Sequence, residues 1–211
     1  MRFRVQSEST GTHALLSAVP GEYDGFPAPS ELLVDSGPQY LSADRVAVGA
    51  ALIFGPWISG EVQFESAVSP LVASSISEYL GMDDLAVGPV ELSPRALPPG
   101  SRTAHISVDA WQRAVWSTGE IGFSSIGMHL STGALRSTSS LAVVYNAGVL
   151  AGGRPEARAF EAHLGLAVLY AEDLGVAYLA MEGIPSGASA GLPAVRALLS
   201  STRLGLLHEG L

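Results

Sequence analysis

The stretch from residue 141 to 181 constrains the fold most. It reads LAVVY, then a long amphipathic segment, then VAYLAM. LAVVY shows no alternation of polar and apolar residues, as expected for a strand buried on both faces. The segment after it opens as a helix near Pro155, with Glu156 in its first turn. Phe160, Leu164, Ala167, Val168, Ala171 and Leu174 then fall on one helical face, and Gly175 ends the helix. EIGF at 120–123 adds a short strand upstream, and LPAVRALLSS adds a final helix downstream. Strands alternating with helices predict a parallel sheet with right-handed crossovers. Its core strands are expected at 120–123, 141–145 and 176–181.

The first half is less regular. MRFRVQ alternates and reads as a strand, and ELLVD follows the Pro- and Gly-rich loop GEYDGFPAPS as another. Ser42 and Asp44 open a helix that runs through RVAVGAALIF. This helix is apolar nearly all round, so it is expected to be well buried, and Gly55-Pro56 ends it. EVQFE is a strand. Ser69 as N-cap and Pro70 at the first helical position start a second helix, with Val72, Ile76 and Leu80 on its apolar face and Gly81 closing it. LAVGPVEL and TAHISV read as strands on either side of SPRALPPGS. The expected class is α/β: an α+β unit over residues 1–110, then a Rossmann-like parallel-sheet unit over 111–211. No internal repeat is legible. Trp111 and Trp116 read as packing residues at the junction.

Composition removes several kinds of chemistry. All eleven basic residues are Arg and the chain has no Lys, so a Walker-type phosphate loop and lysine Schiff-base chemistry are excluded. With no Cys, thiolate nucleophiles, disulfides and Cys-ligated zinc are excluded too. The net charge of −9 argues against tracking along nucleic acid. MRFRVQSEST carries no signal-peptide core, and the apolar stretches near 46–58 and 164–182 are interrupted short of the ~20 residues of a span. A cytoplasmic protein with no membrane or nucleic-acid partner is expected.

Ligands of open parallel sheets sit beyond the carboxyl ends of the strands. That rule selects residues 124–127, 146–154 and 182–191. The polar groups and close-approach positions expected to bind a ligand there are Ser124, Ser125, Gly127, Asn146, Gly148, Arg154 and Ser186. Arg154 stands near a helix start, where an anion is favoured. His129 and His163 read as surface or core residues rather than catalytic bases, and no metal site is expected.

With GFSSIGMHL as the loop, VYNAG as the next strand end, RPEARAFEAHLGLAVLYAEDLGV as the helix and VAYLAME as the third strand, residues 120–182 resemble the PP-loop ATPases. The likeness is to their 7-cyano-7-deazaguanine synthase-like branch. It implies a Rossmann-like fold and an ancestral adenine-nucleotide site. The family's S-G-G-x-D-S loop is degenerate here. Ser125 and Ile126 stand where it has glycines, and Met128 stands where it has Asp. The resemblance therefore implies a nucleotide- or small-ligand-binding protein, or a partner subunit, without ATP cleavage. No cofactor is expected beyond ATP itself. One alternative is a serine hydrolase with Ser125 as nucleophile, because Asp173 and His208 follow it in the order of a nucleophile-elbow enzyme. The other is a structural module that forms homo-oligomers.

Overall fold

The computed structural model describes residues 1–6, 13–94, 96–116, 119–132, 135–146, 150, 158–181 and 184–208. It shows the expected α/β class, with strands and helices interleaved along the chain. Strands β1 (Arg2–Val5), β2 (His13–Val19) and β3 (Glu31–Val34) are followed by α1 (Ala43–Phe54), β4 (Glu61–Val68), α2 (Pro70–Leu80) and β5 (Ala86–Val90). The same sequence of elements then recurs. Strands β6 (Arg102–Trp116), β7 (Gly119–Thr132) and β8 (Leu135–Tyr145) precede α3 (Phe160–Tyr170), β9 (Val176–Met181), α4 (Leu192–Ser200) and β10 (Gly205–His208).

All ten strands form one sheet, ordered β10-β9-β6-β7-β8-β3-β2-β1-β4-β5. Each half is an antiparallel meander, with two parallel strands added beside its first strand. The order is palindromic about the β3–β8 contact, so the chain is a structural repeat that its sequence does not display. TAHISV belongs to β6, the opening strand of the second unit.

This topology corrects the expected three-stranded parallel core. β7 and β8 pair antiparallel, from Ser124↔Tyr145 to Thr132↔Leu135, and β6 stands between β7 and β9. Only Gly133 and Ala134 separate the two strands in sequence. A parallel crossover needs a dozen residues or more, whereas two suffice for a hairpin. Residues 124–132, expected as a ligand loop, and residues 135–140 are strand, and EIGF and LAVVY are ends of much longer strands. VAYLAM, the capped helix starts at Ser42 and Ser69, and the left-handed Gly81 (φ 67°) stand as read.

A strand seam and a helix crossing are among the contacts that join the halves. The first is the seam between β3 and β8, where only Val34 and Tyr145 pair directly. Buried Asn146 extends it: its Oδ1 accepts from Leu33 N at 2.7 Å, and its Nδ2 donates to Glu31 O at 2.8 Å. Asp35 does the same on the other side, accepting from Val144 N at 3.0 Å. The second contact is the crossing of α1 and α3. A methyl group added at Gly165 would meet Gly49 O at 2.9 Å and Ile53 Cγ1 at 2.7 Å. One added at Gly49 would meet Gly165 O at 3.1 Å and Leu169 Cδ2 at 2.8 Å. Each glycine thus faces the other helix's backbone and the residue one turn beyond the other glycine, as in a two-fold interface.

These contacts give two expected outcomes in denaturant unfolding. Gly→Ala in an exposed helix gains about 1 kcal/mol, but overpacking a tight contact costs about 1–3 kcal/mol. Gly165→Ala is expected to destabilise by about 1 kcal/mol. A stabilised variant contradicts the crossing. Asn146→Ala removes two seam hydrogen bonds made by a fully buried side chain, to Leu33 N and Glu31 O, and is expected to cost about 1–3 kcal/mol.

Candidate ligand groove

Among the described residues, a cavity of about 480 Å³ lies beyond the carboxyl ends of the parallel strands β4 and β5. Two helices begin at its edge. Ser42 (ψ 144°) caps α1, its Oγ accepting from Arg45 N at 3.4 Å, and Ser69 (ψ 151°) caps α2, its Oγ accepting from Val72 N at 3.3 Å. Asp44 ties the two starts together, its Oδ1 accepting from Ser69 N at 2.7 Å. Its charge also suits the positive end of α1. The next strand end adds Glu91, whose N–H bonds Val68 O at 2.8 Å and whose Oε1 accepts from Ser93 N at 3.0 Å. Pro94, Ala96, Leu97 and Pro98 form the opposite wall.

The second unit completes this site. The chain after α3 clamps the loop that leads into α1. Tyr170 OH donates to Ser36 O, and the Asp173 carboxylate accepts from Gln39 N and Tyr40 N, the latter at 2.8 Å. Burial, with Asp35 and Asp173 adding to it, pushes the Tyr170 hydroxyl well above its ordinary pKa, so it remains a donor. Between Tyr170 and Asp173, Glu172 reaches the cavity. Past Asp44 and Ser69 the groove continues to Ser201 and Arg203. Arg203 Nη1 donates to Leu97 O at 2.9 Å and so holds the opposite wall.

One buried guanidinium, next in sequence to the groove residue Asp44, leaves two of its nitrogens unbonded. Arg45 is 1% exposed, and its Nε and Nη1 make no hydrogen bond among the described residues. Glu172 Oε2 is likewise buried and unbonded. Burial pulls the Arg45 guanidinium below its usual pKa, and the Glu172 charge opposes that shift. Buried polar groups are normally bonded, so this pair is the main anomaly of the site.

The residues expected to bind a ligand do not converge. Ser124, Ser125 and Gly127 are not in a loop. They lie inside β7, paired to β8 as Ser124↔Tyr145, Ser125↔Val144 and Gly127↔Ala142, and Ser125 and Gly127 also pair to β6. Their backbone groups serve the sheet. Asn146 is engaged in the seam, and Ser186 opens a 3₁₀ turn after β9. Gly148 and Arg154 lie outside the described residues, as do the start of the long helix near Pro155 and Glu182.

The proposed hydrolase set is also dispersed. β6 and β9 stand between β7, with Ser125, and β10, with His208. Three strand spacings amount to about 14 Å. Asp173 is committed to the loop before α1. His163 Nδ1 bonds the buried Tyr145 hydroxyl, whose pKa burial raises, and the two rings meet edge-on at 5.8 Å.

The described residues contain no group of three or more His, Cys, Asp or Glu able to hold a metal, and no helix long and apolar enough to cross a membrane. Compared with protein-family models, curated proteins and solved structures, the chain shows no match.

Arg203 adopts φ 59°, left-handed backbone that glycine takes without penalty. It ends α4, with Arg203 N bonding Ser200 O at 3.0 Å and Leu204 N bonding Leu199 O at 3.1 Å. Comparing Arg203→Ala with Arg203→Gly separates conformation from side chain. The Gly variant is expected to be more stable than the Ala variant by about 1 kcal/mol in urea unfolding.

Proposed function

We propose that the chain is a small-ligand-binding protein, or the binding subunit of a larger assembly, and that its ligand occupies the groove between Asp44, Ser69, Glu91 and Glu172. The observation that carries this reading is the cavity itself. Two capped helix starts and two parallel strand ends open onto one space of about 480 Å³, which suits a small molecule. Nucleotides, the ligand class implied by the PP-loop resemblance, belong among the candidates. ATP cleavage does not belong to this reading, because Ile126 and Met128 supply neither the glycine nor the acid of that motif.

A thermal-shift screen of polar metabolites and nucleotides, with and without magnesium, tests the proposal. A ligand at a hundred times its Kd adds about 2.7 kcal/mol. For a chain of this size that raises Tm by about 5–10 °C. Ala96 is exposed on the groove wall, so Ala96→Trp fills the space without touching the core. The variant is expected to keep the parent's Tm and lose the ligand's shift. A hit that Ala96→Trp binds as well as the parent places the site elsewhere.

A further inference from the structure

We propose a second binding site, apart from the groove: the pocket between the ends of β1 and β4 takes an uncharged, single-ring aromatic group.

The pocket lies where two parallel strands part. β1 and β4 share one register pair, Arg2↔Gln63, with Gln63 N bonded to Met1 O at 2.9 Å. Continued in that register, the ladder would give Val5 N the backbone carbonyl of Glu65. A side chain takes that place: Val5 N donates to Glu65 Oε2 at 3.1 Å. Beyond this point β1 and β4 border a gap, and the start of α1 closes it on the helix side. Leu41 and Val46 hold the two positions of a hydrophobic staple around the cap Ser42, just before it and in the fourth place of the helix. Both line the gap, together with Ala43. The groove is a different space, since its walls share only Ala43 with this pocket.

Size and lining decide the occupant. The cavity measures about 130 Å³. Apolar cavities of about 150 Å³ admit benzene, so this one suits a six-membered ring and is too small for a fused pair. Phe3 and Phe64, 1% and 7% exposed, supply aromatic wall, their rings stacked with centroids 5.5 Å apart and 17° between planes. A third ring packs on such a pair by offset or edge contact. Glu65 is the one charged residue of the lining, and it stands with Ser66 on the exposed side. A charge carried inward would lose its water without gaining a partner, and an anion left at the mouth would meet Glu65. An uncharged ring meets neither cost.

The test titrates the full chain with phenol, benzoate and 1-naphthol while the methyl signals of Val5, Leu41, Ala43 and Val46 are followed by NMR. Phenol is expected to shift these signals saturably, with benzoate and 1-naphthol at least tenfold weaker. Val46→Phe places a ring of the protein's own in the pocket, and Ser66→Trp covers its mouth. Each is expected to weaken phenol at least tenfold. Val46→Ala enlarges the space and is expected to tighten 1-naphthol relative to phenol.

The absence of a saturable shift at these methyls overturns the inference. So does benzoate or 1-naphthol binding as tightly as phenol, or phenol binding unchanged in Val46→Phe and Ser66→Trp. If Val46→Phe fails to fold, Ser66→Trp and the ligand series decide the matter.

Discussion

The structure depends on the close approach of α1 and α3 at Gly49 and Gly165. Each unit carries a meander and two parallel strands, and each would leave one helix face without cover. Only at a residue without Cβ can two helix backbones come this near, and both helices place a glycine there. The consequence is visible along their lengths. In α1 every residue from Arg45 to Phe54 is buried, and α3 is buried on nearly all sides. Neither helix has an ordinary solvent face, because sheet and partner helix enclose both.

That crossing also fixes the groove. With α3 held against α1, the chain leaving α3 falls beside the loop entering α1. Tyr170 and Asp173 anchor that loop, and Glu172 between them is carried to the wall of a cavity otherwise built by the first unit. At the opposite corner, Arg203 from the second unit holds Leu97 of the first. The buried polar residues at matching places in the two helices have diverged. Glu161, early in α3, accepts from Tyr79 OH and Arg158 Nε, both at 2.8 Å, and its hydrogen bond raises the Arg158 pKa. Arg45, early in α1, has no such set. One end of the helix pair is a hydrogen-bonded network, and at the other Arg45 Nε and Nη1 are unbonded among the described residues.

Much of the local structure was legible in the residues. Ser42, Ser69-Pro70 and Gly81 marked helix ends correctly because capping and left-handed turns are chemistry of a few neighbouring residues. Gly175 is left-handed (φ 61°) but lies in the turn before β9, five residues past the end of α3 at Tyr170. LAVVY and VAYLAM were strands because apolar runs of that length have few other uses. Strand direction was not legible. MHLSTGALRSTSS mixes Gly, Ser and Thr, which suit turns, with a periodicity too weak to show two long paired strands. Reading it as a crossover made the neighbouring strands parallel and moved the expected site to β7. β2 (His13–Val19) and β10 (Gly205–His208) were unread for want of alternation and of length. The groove was hidden for a different reason. Ser42, Asp44 and Ser69 were recognised as helix starts, but nothing in the sequence showed that the two starts meet, or that Glu172 arrives between them.

The central claim is that the repeat forms one cooperative body rather than two domains on a linker. It is tested most directly by urea unfolding followed with two probes. Trp57 packs on Phe54 in the first unit, with ring centroids 6.5 Å apart, and reports that unit alone once Trp111 and Trp116 are changed to Phe. Far-UV circular dichroism samples both units. A shared sheet and a shared helix crossing predict a single transition with one midpoint by both probes. Separate midpoints, with Trp57 released while half of the dichroism persists, would show that the units fold independently and contradict the account.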